Sequence, residues 1–174
     1  MLETNGFGIV WLSQGVGNEK HFLSQMKTRL IDCFKQGWNE KMRLSEHCNT
    51  FYSFKSFITP ELFLNDSSFG RSLRNVLIKF RLGVSKLNCH RYKFYKNKEL
   101  LNCPFCINKL ENEFHVLFEC GSYSSIRSIL PQNIIVAHNE ASMYRLLSEN
   151  FYHKCTAIYL LQMFKLRDTL ICRE

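Results

Sequence analysis

Apolar positions recur at helical spacing along much of this chain. From His21 onward, Phe22, Leu23, Met26, Leu30, Phe34, Trp38 and Met42 form one stripe, with Lys27, Arg29, Lys35 and Lys41 off it. That pattern predicts one long helix running through Gly37. A second, short helix is predicted over 49–57, ahead of Thr59-Pro60, where proline turns the preceding backbone away from α geometry. Asn65-Asp66-Ser67-Ser68 supplies turn and capping residues for a third helix over 69–82, and Gly83 stands where a left-handed residue closes a helix. Within that helix Phe69, Leu73, Val76, Leu77 and Phe80 share an arc of about 100°, with Arg71, Arg74 and Arg81 on its flank. The helix is therefore predicted to dock by its apolar stripe and to hold its arginines at the rim. The stretch 84–98 carries no clear period. After Pro131 a helical tail is predicted, with Met143, Leu146, Leu147, Phe151, Ile158, Leu161 and Phe164 as its core residues.

Gly6, Gly8, Gly15 and Gly17 match no phosphate-loop spacing. The longest apolar run, around Ile158–Phe164, is far below the ~20 residues of a bilayer span, and the apolar stretch near residue 10 has no basic flank. The expectation is a soluble, intracellular chain with no membrane partner, in nucleus or cytoplasm. At 174 residues with 45% hydrophobic side chains, it is long enough to bury a core. Eight cysteines without a secretory signal favour metal ligands and buried thiols over disulfides.

Charge is unevenly placed. Nine of the 23 basic residues and none of the 15 acidic ones lie between Arg71 and Lys98, so the +8 total is concentrated in this stretch. Arg71, Arg74, Arg81, Lys86, Arg91, Lys93, Lys96 and Lys98 are interleaved there with Tyr92, Phe94 and Tyr95. Cations bind a phosphate backbone through counterion release and rings stack on bases, so these residues are the candidate nucleic-acid contacts. The competing reading is the solvated face of an ordinary basic domain.

One spacing carries specific chemistry. Cys103 and Cys106, then His115 after eight intervening residues and Cys120 after four more, read C-x2-C-x8-H-x4-C. A Cys-x-x-Cys turn brings two thiolates to one ion, and a third thiolate with an imidazole completes a closed, structural tetrahedral site for Zn2+. Residues 111–119 read as a short helix. On a regular helix His115 and Cys120 stand about 140° apart, so the helix must unwind near Cys120, and Gly121 is the residue type that permits it. Glu111, Glu113 and Glu119 outnumber Lys109, so the finger is expected to brace the basic arm rather than to bind phosphate itself. Cys89-His90 is an alternative source of a ligand, while Cys33, Cys48, Cys155 and Cys172 read as ordinary thiols. The only aspartates are Asp32, Asp66 and Asp168, with no adjacent pair to hold catalytic metal ions, so no enzyme activity is expected.

The run RSLRNVLIKFRLGVSKLNCHRYKFY, then LLNCPFC, ENEFHVLFEC and GSYSSIR, resembles the region downstream of the polymerase domain in LINE-type (non-LTR) retrotransposon reverse transcriptases. The matching positions are Phe80-Arg81-Leu82-Gly83, Cys103, Cys106, Glu113, His115, Cys120, Tyr123 and Arg127, and the similarity is strongest over about 70–127. Glu113 stands two residues before the histidine, where the family pattern has three, and the chain has no Tyr-x-Asp-Asp polymerase motif. The resemblance implies a detached tail, truncated copy or domesticated fragment that grips RNA or DNA without catalysis.

The combined expectation is a mainly α fold, a small helical domain with an embedded CCHC zinc-finger-like element. Its divisions are a helical segment over 1–66, the basic helix and arm with the zinc-binding module over 67–130, and a helical segment over 131–174. Its function is zinc-stabilised nucleic-acid binding. The alternatives are a protein-interaction or scaffold module meeting a protein partner through its helical surfaces, or a retroelement fragment without function.

Overall fold

A computed structural model of the chain describes residues 3–13, 15–45, 48–55, 58–95 and 101–172. The protein is mainly helical, and its chain divides into two compact units, Met1–Leu44 and Ser45–Glu174. No helix among the described residues is long and apolar enough to cross a membrane.

The first unit holds a 3-10 turn at Glu3–Asn5, α1 (Gly8–Ser13) and α2 (Glu19–Leu44). Asn18 starts α2 by accepting the His21 N–H on its side chain at 3.0 Å. Glu19 in the first turn and Lys41 and Arg43 in the last complement the helix dipole. Phe7 meets Phe22 edge to face, with ring centroids 5.4 Å apart. The long helix is thus where the apolar stripe places it, yet none of its described side chains is buried, and Leu23, Leu30 and Phe34 are exposed.

The second unit contains α3 (Asn49–Phe54), α4 (Leu62–Asn65), α5 (Arg71–Arg81) and α6 (Asn88–Tyr95). A π-helical turn at His115–Glu119 and a 3-10 segment at Gly121–Ile129 follow. The chain ends in α7 (Gln132–Ala137), α8 (Glu140–Ser148) and α9 (Asn150–Ile171). α9 is the organising element and packs against α4, α5, α8 and the 3-10 segment. Leu77 and Phe80 of α5, Leu146 and Leu147 of α8, and Tyr159, Leu160 and Met163 of α9 are fully buried. The second unit therefore spans parts of all three sequence divisions, because α9 folds back onto residues that precede it by about 80 positions.

Local signals explain the helix ends. Gly83 has φ +66°, its N–H bonds Phe80 O, and the Val84 N–H bonds Lys79 O. This is a Schellman closure of α5, which needs a residue without Cβ strain at that position. Asn139 caps α8 by accepting the Ser142 N–H at 2.8 Å. Asp66 and Ser68 form a local turn instead of the expected cap, and α5 begins after Gly70 with no side-chain cap.

The face of α9 differs from the aliphatic reading. Phe151 is 84% exposed, and Ile158, Leu161 and Phe164 are only half-buried. The buried face instead includes Tyr152, His153, Thr156, Ala157 and Tyr159. The polar members enter because they find acceptors inside: Tyr159 donates to Val116 O, Thr156 to Leu146 O and His153 Nε2 to Leu147 O. A buried hydroxyl with a partner carries little penalty, and the phase of the helix follows these bonds.

Candidate metal centre

The Cys103–Cys106 turn is set by backbone hydrogen bonds. Cys103 N–H donates to Lys109 O at 2.7 Å and Glu111 N–H to Leu101 O at 2.9 Å, around an antiparallel bridge between Asn102 and Leu110. Asn108 takes a left-handed φ of 55°, which turns the chain back on itself. The fourth position arrives by a route other than Gly121. Residues His115–Glu119 form a π turn, and Cys120, in extended conformation, donates its N–H to His115 O at 2.8 Å. The wider turn takes up the angular difference between His115 and Cys120, so the unwinding occurs at Cys120 and no left-handed glycine is used.

Cys103, Cys106, His115 and Cys120 place one ligand atom each within 4.8 Å of one another, and Cys103, His115 and Cys120 are buried. The Cys120 sulfur is 3.9 Å from that of Cys103 and 3.7 Å from that of Cys106. A tetrahedral ion with metal–sulfur bonds of about 2.3 Å sets its sulfurs about 3.8 Å apart. The cluster thus has the edge length that such an ion requires.

The imidazole is prepared for the same task. His115 Nδ1 lies 3.1 Å from Glu119 Oε2, one helical turn on, while Nε2 is buried without a hydrogen-bond partner. With Nδ1 directed at a carboxylate, Nε2 is the basic nitrogen left to face the sulfurs, the arrangement of a metal-ligating histidine. The sulfurs have their own supports, the Phe105 N–H for Cys103 and the Ser122 N–H for Cys120. The hydrogen bond from the Cys103 thiol holds Cys120 below the ordinary thiol range, whereas that bond and burial push Cys103 above it. A borderline divalent cation would displace the thiol protons and fit this donor set of three sulfurs and one nitrogen. Arg127 completes the frame, donating to Leu117 O at 3.0 Å and to Cys120 O at 2.7 Å.

Of the three glutamates near the cluster, Glu119 is exposed and Glu113 half-buried, but Glu111 is enclosed. Glu111 is fully buried, pairs with Arg167 of α9 at 2.8 Å and accepts the Asn88 N–H at 2.7 Å. Asn88 Nδ2 reaches Asn102 O at 2.7 Å, and Cys89 N–H reaches Glu111 O. The turn that carries Cys103 is thereby hydrogen-bonded to the first residues of α6.

The basic residues fare unequally. Arg71, Lys86 and Arg91 are exposed, Lys93 and Tyr92 are half-buried, and Tyr95 is 71% exposed. Lys86 faces solvent beside Asp168, at 2.6 Å. Arg74 is half-buried and donates to Asp66 O. Arg81 corrects the expectation: it is buried, grips Glu61 with two bonds of 2.9 and 3.1 Å, and lies over the rings of Phe51, Phe54 and Phe63. A phosphate cannot reach a guanidinium so enclosed, and the rim position read from helix phase fails because α3 and α4 cover it. Burial pushes the Glu61 carboxyl up, but the hydrogen bonds from Arg81 and Lys55 outweigh it and hold its pKa below the usual range. Lys96 and Lys98, and the side chain of Phe94, lie outside the described residues. Cys89 and His90 do not join the four-residue cluster.

Sequence alone did not reveal Glu111–Arg167, whose partners are 56 residues apart. The His115–Glu119 contact was also missed, although its i, i+4 spacing is a signal that could have marked it. Compared with models of known families, with curated proteins and with solved structures, the chain matches none.

Proposed function

We propose that the protein is a zinc-stabilised nucleic-acid-binding module without catalysis of its own, of the kind found after the polymerase domain of LINE-type reverse transcriptases. The observation that carries this reading is the convergence of Cys103, Cys106, His115 and Cys120, whose ligand atoms lie within 4.8 Å of one another. Cys103, Cys106, Cys120 and His115 would hold Zn2+, which supplies a fixed cross-link between the 103–106 turn and the π turn.

What the chain's own residues add is the connection from that cross-link to the basic arm. Asn102 and Glu111, on either side of the cysteine turn, hydrogen-bond the first residues of α6, which carries Arg91, Lys93 and Tyr95. Lys79 and Lys86 line one depression beside α9, and Lys86 and Arg91 line the next. These cations are the contacts for an RNA or DNA backbone, with Tyr95 and Tyr92 as stacking rings. Metal removal loosens residues 102–111 and with them the start of α6.

The test is binding of RNA and DNA oligonucleotides over a range of salt. A charge-reversed Arg91→Glu/Lys93→Glu chain should bind more weakly, with the logarithmic salt slope reduced by about two, roughly one for each phosphate no longer engaged. Unchanged affinity and slope remove the arm from the mechanism. A protein-interaction role is the second reading, favoured by the exposed Leu23, Leu30 and Phe34 of α2. Salt-insensitive capture of a protein partner, with no oligonucleotide binding, supports it instead.

A further inference from the structure

We infer that Cys89, His90 and Glu113 form a second, three-ligand metal site, distinct from the four-residue cluster and independent of the nucleic-acid reading. Their ligand atoms all lie within 4.8 Å of one another. Adjacent residues of a helix point about 100° apart and seldom reach one ion. Here the Glu113 carboxylate sits in the angle between them, with Oε1 2.8 Å from His90 Nε2 and Oε2 3.9 Å from Cys89 Sγ. The two segments are held in register by the Cys89 N–H bond to Glu111 O at 3.2 Å. The donors therefore meet through the fold and not through a flexible surface.

His90 is fully buried, edge-on to Phe80, with Nδ1 2.7 Å from Ser85 Oγ. Nδ1 also accepts the Ser85 N–H at 3.2 Å, so ligation through Nε2 moves the ring proton to Nδ1, where Ser85 Oγ accepts it. The Nε2···Oε1 distance is a few tenths of an ångström short of the roughly 3.3 Å edge of a tetrahedral site with nitrogen and oxygen ligands. A small movement of the carboxylate admits the ion at Nε2; the ring proton passes to Nδ1 and the thiol proton is released to solvent. One thiolate and one carboxylate then balance a divalent charge.

Sulfur and imidazole together exclude magnesium and calcium and select a borderline cation of the Zn2+ class. Three protein ligands leave a fourth position, and the half-buried Cys89 gives it a path to solvent. Water fills that position, or an oxygen of a bound anion. The ion would fasten the first turn of α6 to the segment leading into the π turn.

The test uses the full chain loaded with Zn2+, freed of excess by gel filtration, and analysed for metal. About two equivalents are expected in the parent and about one in Cys89→Ala and Glu113→Gln. The glutamine preserves an acceptor for His90, so loss of metal there is not loss of fold, and circular dichroism checks this. Cobalt(II) replacement separates the sites. The spectrum lost in Cys89→Ala should be that of a four-coordinate ion with a charge-transfer band weak enough for one thiolate, while the three-thiolate band stays. Cys106→Ser should lose the strong band and keep the weak one. A parent that lacks the weak band, or no change in metal content in Cys89→Ala, overturns the site. Failure of the four-residue cluster appears separately, as absence of the strong band.

Discussion

Replacing Glu111 by Gln removes one charge from a place with no solvent to take up the difference. Glu111 is 0% exposed and the Arg167 side chain 6%, and the carboxylate accepts two bonds from that guanidinium, at 2.8 and 3.0 Å, and one from the Asn88 N–H. Breaking a buried pair from one side leaves an uncompensated ion and costs about 3–5 kcal/mol, a large part of the ~5–15 kcal/mol that holds a domain together. Because the Gln carbonyl still accepts the Asn88 N–H, about 3 kcal/mol is the expected loss for Glu111→Gln. Arg167→Met should lose a similar amount. The double substitution should lose about 2 kcal/mol less than the two singles together, because it leaves neither charge unpaired. The assay is urea unfolding followed by near-ultraviolet tyrosine dichroism and by hydrogen exchange along α9. Tryptophan fluorescence does not serve, since Trp11 and Trp38 both belong to the other unit. Additive losses, or single losses below about 1 kcal/mol, would falsify the claim that this pair is enclosed and coupled.

Other consequences follow from single residues. Burial, reinforced by the charge of Arg81, lowers the pKa of His153 below 6.5. The unfolded chain therefore takes up this proton first, and stability should fall as pH drops below 6.5 toward the folded pKa. A His153→Gln chain should lack that component of the pH profile in denaturant titrations, and an unaltered profile refutes the assignment. Gly83→Ala places a side chain at φ +66° and should destabilise the second unit by about 1 kcal/mol in urea unfolding, against no effect if α5 ended without the Schellman closure. Leu160→Ala, at the centre of the α9 packing, should cost about 2–5 kcal/mol, whereas Phe151→Ala, at 84% exposure, should change stability by less than about 0.5 kcal/mol.

Helix existence was legible where the apolar spacing was regular, as in α2, and where an end signal joined it, as in α5 with Gly83 behind it. The four cluster residues were legible because ligand spacing is a local property, unlike the route that brings them together. The π turn at His115–Glu119 has no marker in composition, and Gly121 misled because a glycine reads the same whether or not its freedom is used. Phase was harder than existence. Phe151 and Ile158 read as core because hydrophobicity alone ignores the carbonyls that Tyr159, Thr156 and His153 find inside. Arg81 and Glu111 failed for the same reason at longer range: a charged residue looks solvated until its partner, 20 or 56 residues away, is known. Neither α6 nor its link to the cysteine turn carries a periodic signal, since Asn88–Tyr95 is held by hydrogen bonds from Glu111 and Asn102 more than by an apolar stripe.

The most direct test of the central claim is zinc-edge X-ray absorption on the Cys89→Ala chain loaded with one equivalent of Zn2+, so that only the four-residue cluster is occupied. The expected ligand shell holds three sulfurs at about 2.3 Å and one imidazole nitrogen at about 2.0 Å. A shell of oxygen and nitrogen alone, or a chain that takes up no zinc, contradicts it.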